Sequence, residues 1–223
     1  LKLLAGRVAG NPALLDALAR ECERLKSLVH PNIVRVDGFH REAGQAWIAM
    51  EYLAGGDLTQ YRGRPAYEVL HLAIPVADAL AYAHSTGIVH RDVKATNVLM
   101  SIDGSPRLAD FGLALALEQP PDPALGAGSP YSMSPQQWSG APTQPADDVY
   151  AFGVLLYELL SGYPPFYPDV DAAKVEGQRV PLLVSRYPVS DGVSALVHRC
   201  LEKEPARRPA MARHGPGPRR RSP

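Results

Sequence analysis

Two short stretches concentrate side chains that could do chemistry together, His90-Arg91-Asp92-Val93-Lys94-Ala95-Thr96-Asn97 and Asp110-Phe111-Gly112. Moving a γ-phosphoryl group off a nucleotide requires a carboxylate to orient the attacking hydroxyl and oxygen ligands to hold a divalent cation on the phosphates. Asp92 can be the first group, and the side-chain oxygens of Asn97 and Asp110 can be the second. Lys94, two residues past Asp92, can neutralise charge on the group in flight. Between Asp92 and Asp110 stands Asp103-Gly104, a hairpin signal. A hairpin returns the chain to where it left, so Asp110 comes back toward Asp92 and Asn97. Each piece alone is weak: an isolated Asp-Phe-Gly is more often a turn, and a lone His90 is usually a structural histidine. In this order, with a hairpin between them, they form a specific signal.

The elements that must position these residues can be traced along the chain. Leu1 to Leu4 reads as the end of a strand. Asn11-Pro12 is an N-cap followed by Pro at the first helical position. Leu14, Leu15, Leu18, Cys22, Leu25 and Leu28 then recur at near-helical spacing, and the helix stops before His30-Pro31-Asn32. Strands are predicted over 33–40 and 45–52, joined by a turn at Glu42-Ala43-Gly44; Gly55-Gly56 breaks the chain and Asp57 can cap a short helix. A second long helix is predicted from Pro65 to Ser85, with Val69, Leu70, Ile74, Ala77, Leu80 and Ala81 on its buried face and Pro75 costing it a backbone bond or a kink. Short apolar runs at 88–89, 98–102 and 107–109 follow. The stretch 113–130 is rich in Ala, Pro and Gly without a period and reads as a loop. From Ser134 to about Ala212 the pattern is helical with Pro-rich joints. The apolar run Val149 to Leu160 contains Glu158 and is shorter than the roughly 20 residues of a membrane span, so it reads as a core helix. Strands first and helices afterwards imply an α+β arrangement in two lobes.

Composition narrows the function classes. The 223 residues carry 23 basic and 23 acidic side chains, so net charge offers no argument for a nucleic-acid or membrane partner, and no membrane segment is read in the chain. Arg213, Arg219, Arg220 and Arg221 lie among Gly and Pro, where a solvated, disordered basic tail over 213–223 is expected rather than a binding patch. Cys22 and Cys200 fall inside predicted helices far apart in sequence and read as reduced thiols of a cytoplasmic protein.

With the octapeptide and the Asp-Phe-Gly triad in place, the sequence resembles the eukaryotic-like Ser/Thr protein kinases from Leu1 to about Pro209, and Ala83-His84-Ser85-Thr86-Gly87-Ile88-Val89 is similar to bacterial members. The resemblance implies a bilobal α+β kinase-like fold: a partial small lobe over 1–53 (third strand, one helix, hinge strand), a helical large lobe over 54–212 with the catalytic loop and activation segment, and the tail. It implies ATP with Mg²⁺, or alternatively Mn²⁺, a protein substrate offering Ser or Thr, and self-association as a route to autophosphorylation. It makes Asp92, Lys94 and Asn97 catalytic and Asn97 and Asp110 the metal ligands. For ATP it implies Lys2 on the α- and β-phosphates, paired with Glu21 of the following helix, although Glu23 is close by. Trp47 to Leu53 resembles the hinge strand, with Met50 as gatekeeper, the backbones of Glu51 and Leu53 on the adenine edge, Asp57 toward ribose and Leu99 under the ring. Gly128-Ser129-Pro130 and Ser134-Pro135-Gln136 resemble the close of an activation segment, with Ser129 beside the substrate hydroxyl. Asp148 is then expected to cap the catalytic loop's backbone and Arg208 to pair with residue 136.

Several features depart from the pattern. No Gly-x-Gly-x-x-Gly occurs; the family places it upstream of Leu1, and the chain opens at Leu1 without Met, so a truncated domain with weak ATP affinity and poor turnover is expected. Gln136 stands where the family has Glu. The loop 113–128 contains no Ser, Thr or Tyr, so control by a mid-loop phosphate is not expected; Ser129, Tyr131, Ser132 and Ser134 remain as acceptors. After Pro209 the family continues in a helix that Gly215-Pro216-Gly217-Pro218 cannot make. The alternatives are a pseudokinase-like binding module or scaffold lacking the phosphate-clamping loop, and a small-molecule phosphotransferase.

Overall fold

In a computed structural model, residues 2–3, 12–42, 45–111 and 130–211 are described, with the side chains of Lys2, Leu3 and Leu14 outside that description. The expectations for Asn11, for the loop 113–128, for Ser129 and for the tail 213–223 therefore lie outside the described residues.

The small lobe is built from one long helix on one antiparallel sheet. Helix α1 (Pro12–Lys26) buries Leu15, Leu18, Cys22 and Leu25, the predicted stripe. The sheet has the order β1-β3-β2, with β1 (Lys2–Leu3), β2 (Val36–Glu42) and β3 (Gln45–Met50) all antiparallel. Lys2 pairs with Ile48 and Phe39 with Ile48 from the other side, so Ile48 is central and fully buried.

One boundary differs from the prediction. Strand β2 begins at Val36 rather than Ile33, because residues 32–34 are claimed by another partner. Val34 N–H donates to Leu108 O at 2.9 Å and Leu108 N–H to Asn32 O at 2.8 Å, and Ile33 forms a parallel bridge with Leu108. The segment that follows α1 thus fastens the small lobe to the large one. Val29 N–H donating to Tyr82 Oη at 3.3 Å, and His30 against Asp78 at 3.3 Å, extend the attachment to the second long helix.

That helix, α2 (Ala66–Ser85), runs through Pro75 without ending; lacking an N–H, Pro75 cannot bond the His71 carbonyl. Its buried residues are Val69, Leu72, Ala73, Val76, Ala79, Leu80, Ala81 and Ala83; of the predicted face Val69, Leu80 and Ala81 are buried, whereas Ile74 is 50% exposed and Leu70 and Ala77 are only half-buried. The reason is angular. At 100° per residue, position 74 lies about 140° from position 69, whereas 72, 73, 76, 80 and 83 stay on one stripe. The predicted hairpin is present as β4 (Val98–Met100) and β5 (Pro106–Leu108), and Asp103 accepts from Ser105 N–H while Gly104 takes φ 83°.

The large lobe's remaining helices are α3 (Pro135–Trp138), α4 (Pro145–Ser161), α5 (Ala172–Gly177) and α6 (Asp191–Cys200). Helix α4 is buried all round from Asp147 to Leu160, as a core helix must be when other elements cover every side. One apolar cluster runs continuously from Leu18 and Ile48 in the small lobe through Val76 and Leu80 to Leu155 and Leu201. Both cysteines are buried free thiols, and burial pushes each up to about 11, unreactive at neutral pH. Among the described residues no helix is long and apolar enough to cross a membrane.

Candidate active site

The site hangs from the N-terminus of α4. Gln144 caps the helix in a reciprocal box with Asp147, which leaves the next carboxylate, Asp148, aimed back into residues 84–91. Asp148 is fully buried and accepts from His90 N–H at 2.8 Å, Arg91 N–H at 2.7 Å and His84 Nε2 at 2.7 Å. The expected cap of the catalytic loop is therefore made. Its anchorage accommodates Arg91 at φ 75°, a left-handed conformation for a residue that carries a Cβ.

His90, fully buried, joins the two chemical segments. Its Nδ1 accepts Asp92 N–H at 3.2 Å, which leaves the ring proton on Nε2 to donate to Ala109 O at 2.8 Å, and the ring tilts against Phe111 at 4.4 Å between centroids. Burial pulls its pKa down and outweighs the opposing pull of Asp148, so the ring stands neutral. One imidazole thus spaces the 90–97 loop from the 109–111 segment. Ala109 N–H donating to Asn97 O at 2.8 Å closes the same gap from the other side and sets Asp110, at φ 64°, beside the loop.

Within the loop, a short 3₁₀ turn (Ala95–Asn97) folds Asn97 back on Asp92. Asn97 Nδ2 donates to Asp92 O at 2.8 Å and to Asp92 Oδ2 at 2.9 Å, and Lys94 Nζ sits 2.7 Å from the same Oδ2. Asp92 Oδ1 is buried and has no hydrogen-bond partner among the described residues. An acceptor left orphaned in this way costs about 1–3 kcal/mol unless a ligand's donor meets it. One carboxylate oxygen is thus fixed and the other open to a hydroxyl proton. Among the described residues no three His, Cys, Asp or Glu side chains gather as a metal cluster. The oxygen donors available are the Asn97 amide and the Asp110 carboxylate, which suits a cation that keeps waters and phosphate oxygens in its shell.

On the nucleotide side, Met50 ends β3 at the rim of a narrow apolar cleft shared with Leu25, Leu28, Ile48, Phe111 and Asp110. Glu51 N–H is taken by Arg35 O at 2.9 Å, and its carboxylate by Arg107 Nη1 at 2.6 Å. No hydrogen bond among the described residues uses the Glu51 carbonyl or the Leu53 backbone. Leu99 on β4 bridges Asp57, and Asp57 caps a 3₁₀ turn (Leu58–Tyr61) by accepting from Thr59 N–H at 2.8 Å. The hinge is seated by Gly55, whose N–H donates to Met100 O at 2.9 Å and where an added Cβ would stand 2.6 Å from that oxygen. Glu21 faces inward, its side chain 13% exposed and accepting from Arg24 at 3.2 Å, while Glu23 is exposed beside Lys26. The pairing of Lys2 with Glu21 lies outside the described side chains.

The segment that leads into α3 is held by buried polar contacts. Ser134 caps α3 and donates to Asp147 Oδ1 at 2.6 Å; Arg208 Nη2 donates to Gln136 Oε1 at 2.6 Å, the expected pair. Sequence reasoning missed Gln137, whose side chain closes a capping box with Ser134 and donates to Arg91 O at 3.3 Å. The signal was present as Ser-x-x-Gln at 134–137. It also missed a cavity beside Lys94 whose walls include Arg62, Glu158 and Tyr167; residues so far apart carry no local signal.

Comparison with known proteins follows the same outline. The family model described as "Protein kinase domain" matches residues 5–214. PknL of Mycobacterium tuberculosis, a serine/threonine-protein kinase, is 36% identical over 94% of this chain and 54% of its own length. Serine/threonine-protein kinase PkaA of Streptomyces coelicolor is 35% identical over 94% of this chain and 40% of its own, and PAK mbt of Drosophila melanogaster 31% over 88% and 32%. The chain thus spans about half or less of these relatives. Two double mutants of the Mycobacterium tuberculosis PknI kinase domain superpose with TM-scores of 0.71 and 0.70 at 29% and 30% identity; the first covers 95% of this chain and 79% of that one.

Proposed function

The chain belongs to the protein kinase domain family, and from that premise we propose that it transfers the γ-phosphoryl of ATP to serine or threonine hydroxyls of protein substrates. The observation that carries this reading is the divided carboxylate of Asp92, with Oδ2 held by Asn97 and Lys94 and Oδ1 buried without a partner among the described residues. In this reading the substrate hydroxyl donates to Oδ1, which orients its oxygen and takes its proton as the bond to the γ-phosphorus forms and the bond from that phosphorus to the bridging oxygen breaks, ADP leaving with that oxygen. Lys94 sits where it can offset charge on the transferred group. Asn97 and Asp110 hold Mg²⁺, with Mn²⁺ as the alternative, and the cation supplies charge neutralisation on the phosphates.

Glu51 and Leu53 offer their free backbone groups to adenine, Met50 and Leu99 flank it, Asp57 faces ribose, and Lys2 with Glu21 serves the phosphates. The corresponding partition is a small lobe over 1–53, a large lobe over 54–212 and a basic tail over 213–223. A cytoplasmic setting accords with two free thiols. Self-association would serve autophosphorylation.

The test is transfer of labelled phosphate from MgATP to a generic protein substrate. Asp92→Asn keeps the bond partners of Oδ2 but removes the proton acceptor, and is expected to lower turnover by about 10²–10⁴. Turnover within about threefold of wild type would overturn the assignment.

A further inference from the structure

Two stretches distant in sequence are tied to the C-terminal end of α4. Arg64 N–H donates to Leu159 O at 3.2 Å, Ser185 Oγ donates to Leu160 O at 2.7 Å, and Tyr157 Oη donates to Leu182 O at 3.1 Å. The first stretch, 64–67, opens α2, and the second, 182–187, lies between α5 and α6. They meet at two tyrosines. Glu68, accepting from Tyr67 Oη at 3.0 Å, pushes the Tyr67 phenol up; Tyr187 adds a smaller push and Arg64 a pull the other way. Groups that act on one phenol in this manner are near neighbours. Both stretches present large side chains to solvent: Tyr67 is 73% exposed, Leu182 81%, Val184 67% and Tyr187 37%. A single exposed apolar residue needs no explanation, but a group assembled by packing marks an interaction surface. Two exposed arginines stand among them. Arg186 lies over the Tyr187 ring at 5.7 Å, and neither it nor Arg64 has an ion-pair partner among the described residues.

We propose that this surface docks a segment of a partner protein in which aspartate or glutamate flanks leucine, phenylalanine or tyrosine. The inference goes beyond the catalytic reading and does not rest on it, since none of these residues belongs to the candidate active site. Tyrosine and arginine side chains beside aliphatic ones are the composition that carries binding energy at protein interfaces. The partner's apolar side chains would cover Leu182, Val184 and the two tyrosine rings. Its carboxylates would meet Arg64 and Arg186, whose charges have no carboxylate partner among the described residues. Two other occupants match the surface less closely. A second copy docking about a two-fold axis would set the patch against itself and oppose arginine to arginine. An anionic membrane is held by clusters of roughly four to eight basic residues, more than this patch offers.

The experiment selects a displayed library of random short peptides against the whole chain, and titrates the recovered peptides, labelled with a fluorophore, by anisotropy. The expected set shares acidic residues beside Leu, Phe or Tyr, and its Kd rises roughly tenfold or more when Arg64→Glu is combined with Arg186→Glu. Both side chains are exposed, so the thermal melt of this double variant should match that of the wild type. Exchanging the peptide's acids for lysines should abolish binding to the wild type and restore it in the double variant, a rescue that a merely distorted surface could not give. Leu182→Ser with Val184→Ser should weaken binding while leaving its dependence on the arginines intact. Recovered peptides without acidic residues, or affinities within about twofold of wild type in every variant, would overturn the proposal. So would a dimer in analytical ultracentrifugation that the double variant abolishes, which would assign the patch to a second copy. Binding to vesicles of phosphatidylserine and phosphatidylcholine that depends on the same arginines would assign it to a membrane and overturn the proposal as well.

Discussion

Arg208 has no exposed side-chain surface, yet each of its guanidinium nitrogens is engaged. Nε donates to Glu202 O at 2.8 Å, Nη1 to Ala146 O at 2.9 Å, and Nη2 to Gln136 Oε1 at 2.6 Å and Lys203 O at 3.0 Å, with the plane over the Tyr150 ring. Replacing it with methionine keeps the volume but orphans several buried acceptors. Arg208→Met is expected to cost about 3 kcal/mol or more, a fall of roughly 6 °C or more in Tm; a change under about 2 °C in a thermal melt would contradict the network's importance. The departure at position 136 has a physical reading as well. Gln136 accepts from Arg208 through Oε1 and donates through Nε2 to Lys203 O at 3.0 Å. A glutamate there would gain an ion pair but set a carboxylate against that carbonyl. Gln136→Glu should therefore shift stability by less than about 1 kcal/mol in either direction, read from the denaturant midpoint.

Elements are set by what touches them. Helix α4 packs so closely on α6 that a Cβ at Gly153 would stand 2.6 Å from Cys200 Cβ and 3.1 Å from Leu201 Cγ. Glycine is normally a poor mid-helix residue, and replacing it with alanine favours an isolated helix by about 1 kcal/mol. Here overpacking dominates, and Gly153→Ala should destabilise by about 1–3 kcal/mol despite its better propensity. A rise in Tm would show that α6 can move aside. The same scale shows how far the pattern of residues could be read. The α1 stripe, the Asp103-Gly104 hairpin and the core character of α4 were legible because each depends on near neighbours. The start of β2 was not, because Ile33 and Val34 pair with Leu108, 75 and 74 positions away. Nor was the full face of α2, where a run rich in Ala and Leu supports several stripes and only the packing of the large lobe selects one.

At the scale of the whole molecule, His90 couples folding to pH. Its native ring is neutral and buried, with a pKa below the ordinary 6.5, so below pH 6.5 the unfolded chain binds a proton that the native chain refuses. Stability contributed by this group is present above that value and is lost as pH falls toward the depressed native pKa. Between pH 7.5 and 5.5 the loss should be about 1 kcal/mol, and His90→Asn should flatten that slope. Denaturant unfolding at the two pH values checks this; equal slopes in the two proteins would assign the effect elsewhere. Protonation would also break the His90 acceptance from Asp92 N–H, so the loop bearing Asp92 should loosen as the molecule weakens.

The identity and order of the candidate groups can be read from the linear chain: Asp92, Lys94 and Asn97 in one loop, Asp110 after a hairpin, Asp148 heading a buried helix. Such groups sit within a few residues of each other or are returned by a turn with its own local chemistry, so short-range reading reaches them. Three dimensions were needed to show that Asp92 keeps one oxygen fixed and one open, and that a neutral His90 spaces the two segments. They were needed, too, to show Arg62 crossing 96 positions to pair with Glu158. Those facts depend on burial and on partners distant in sequence, which are properties of the packed molecule and not of any stretch of it.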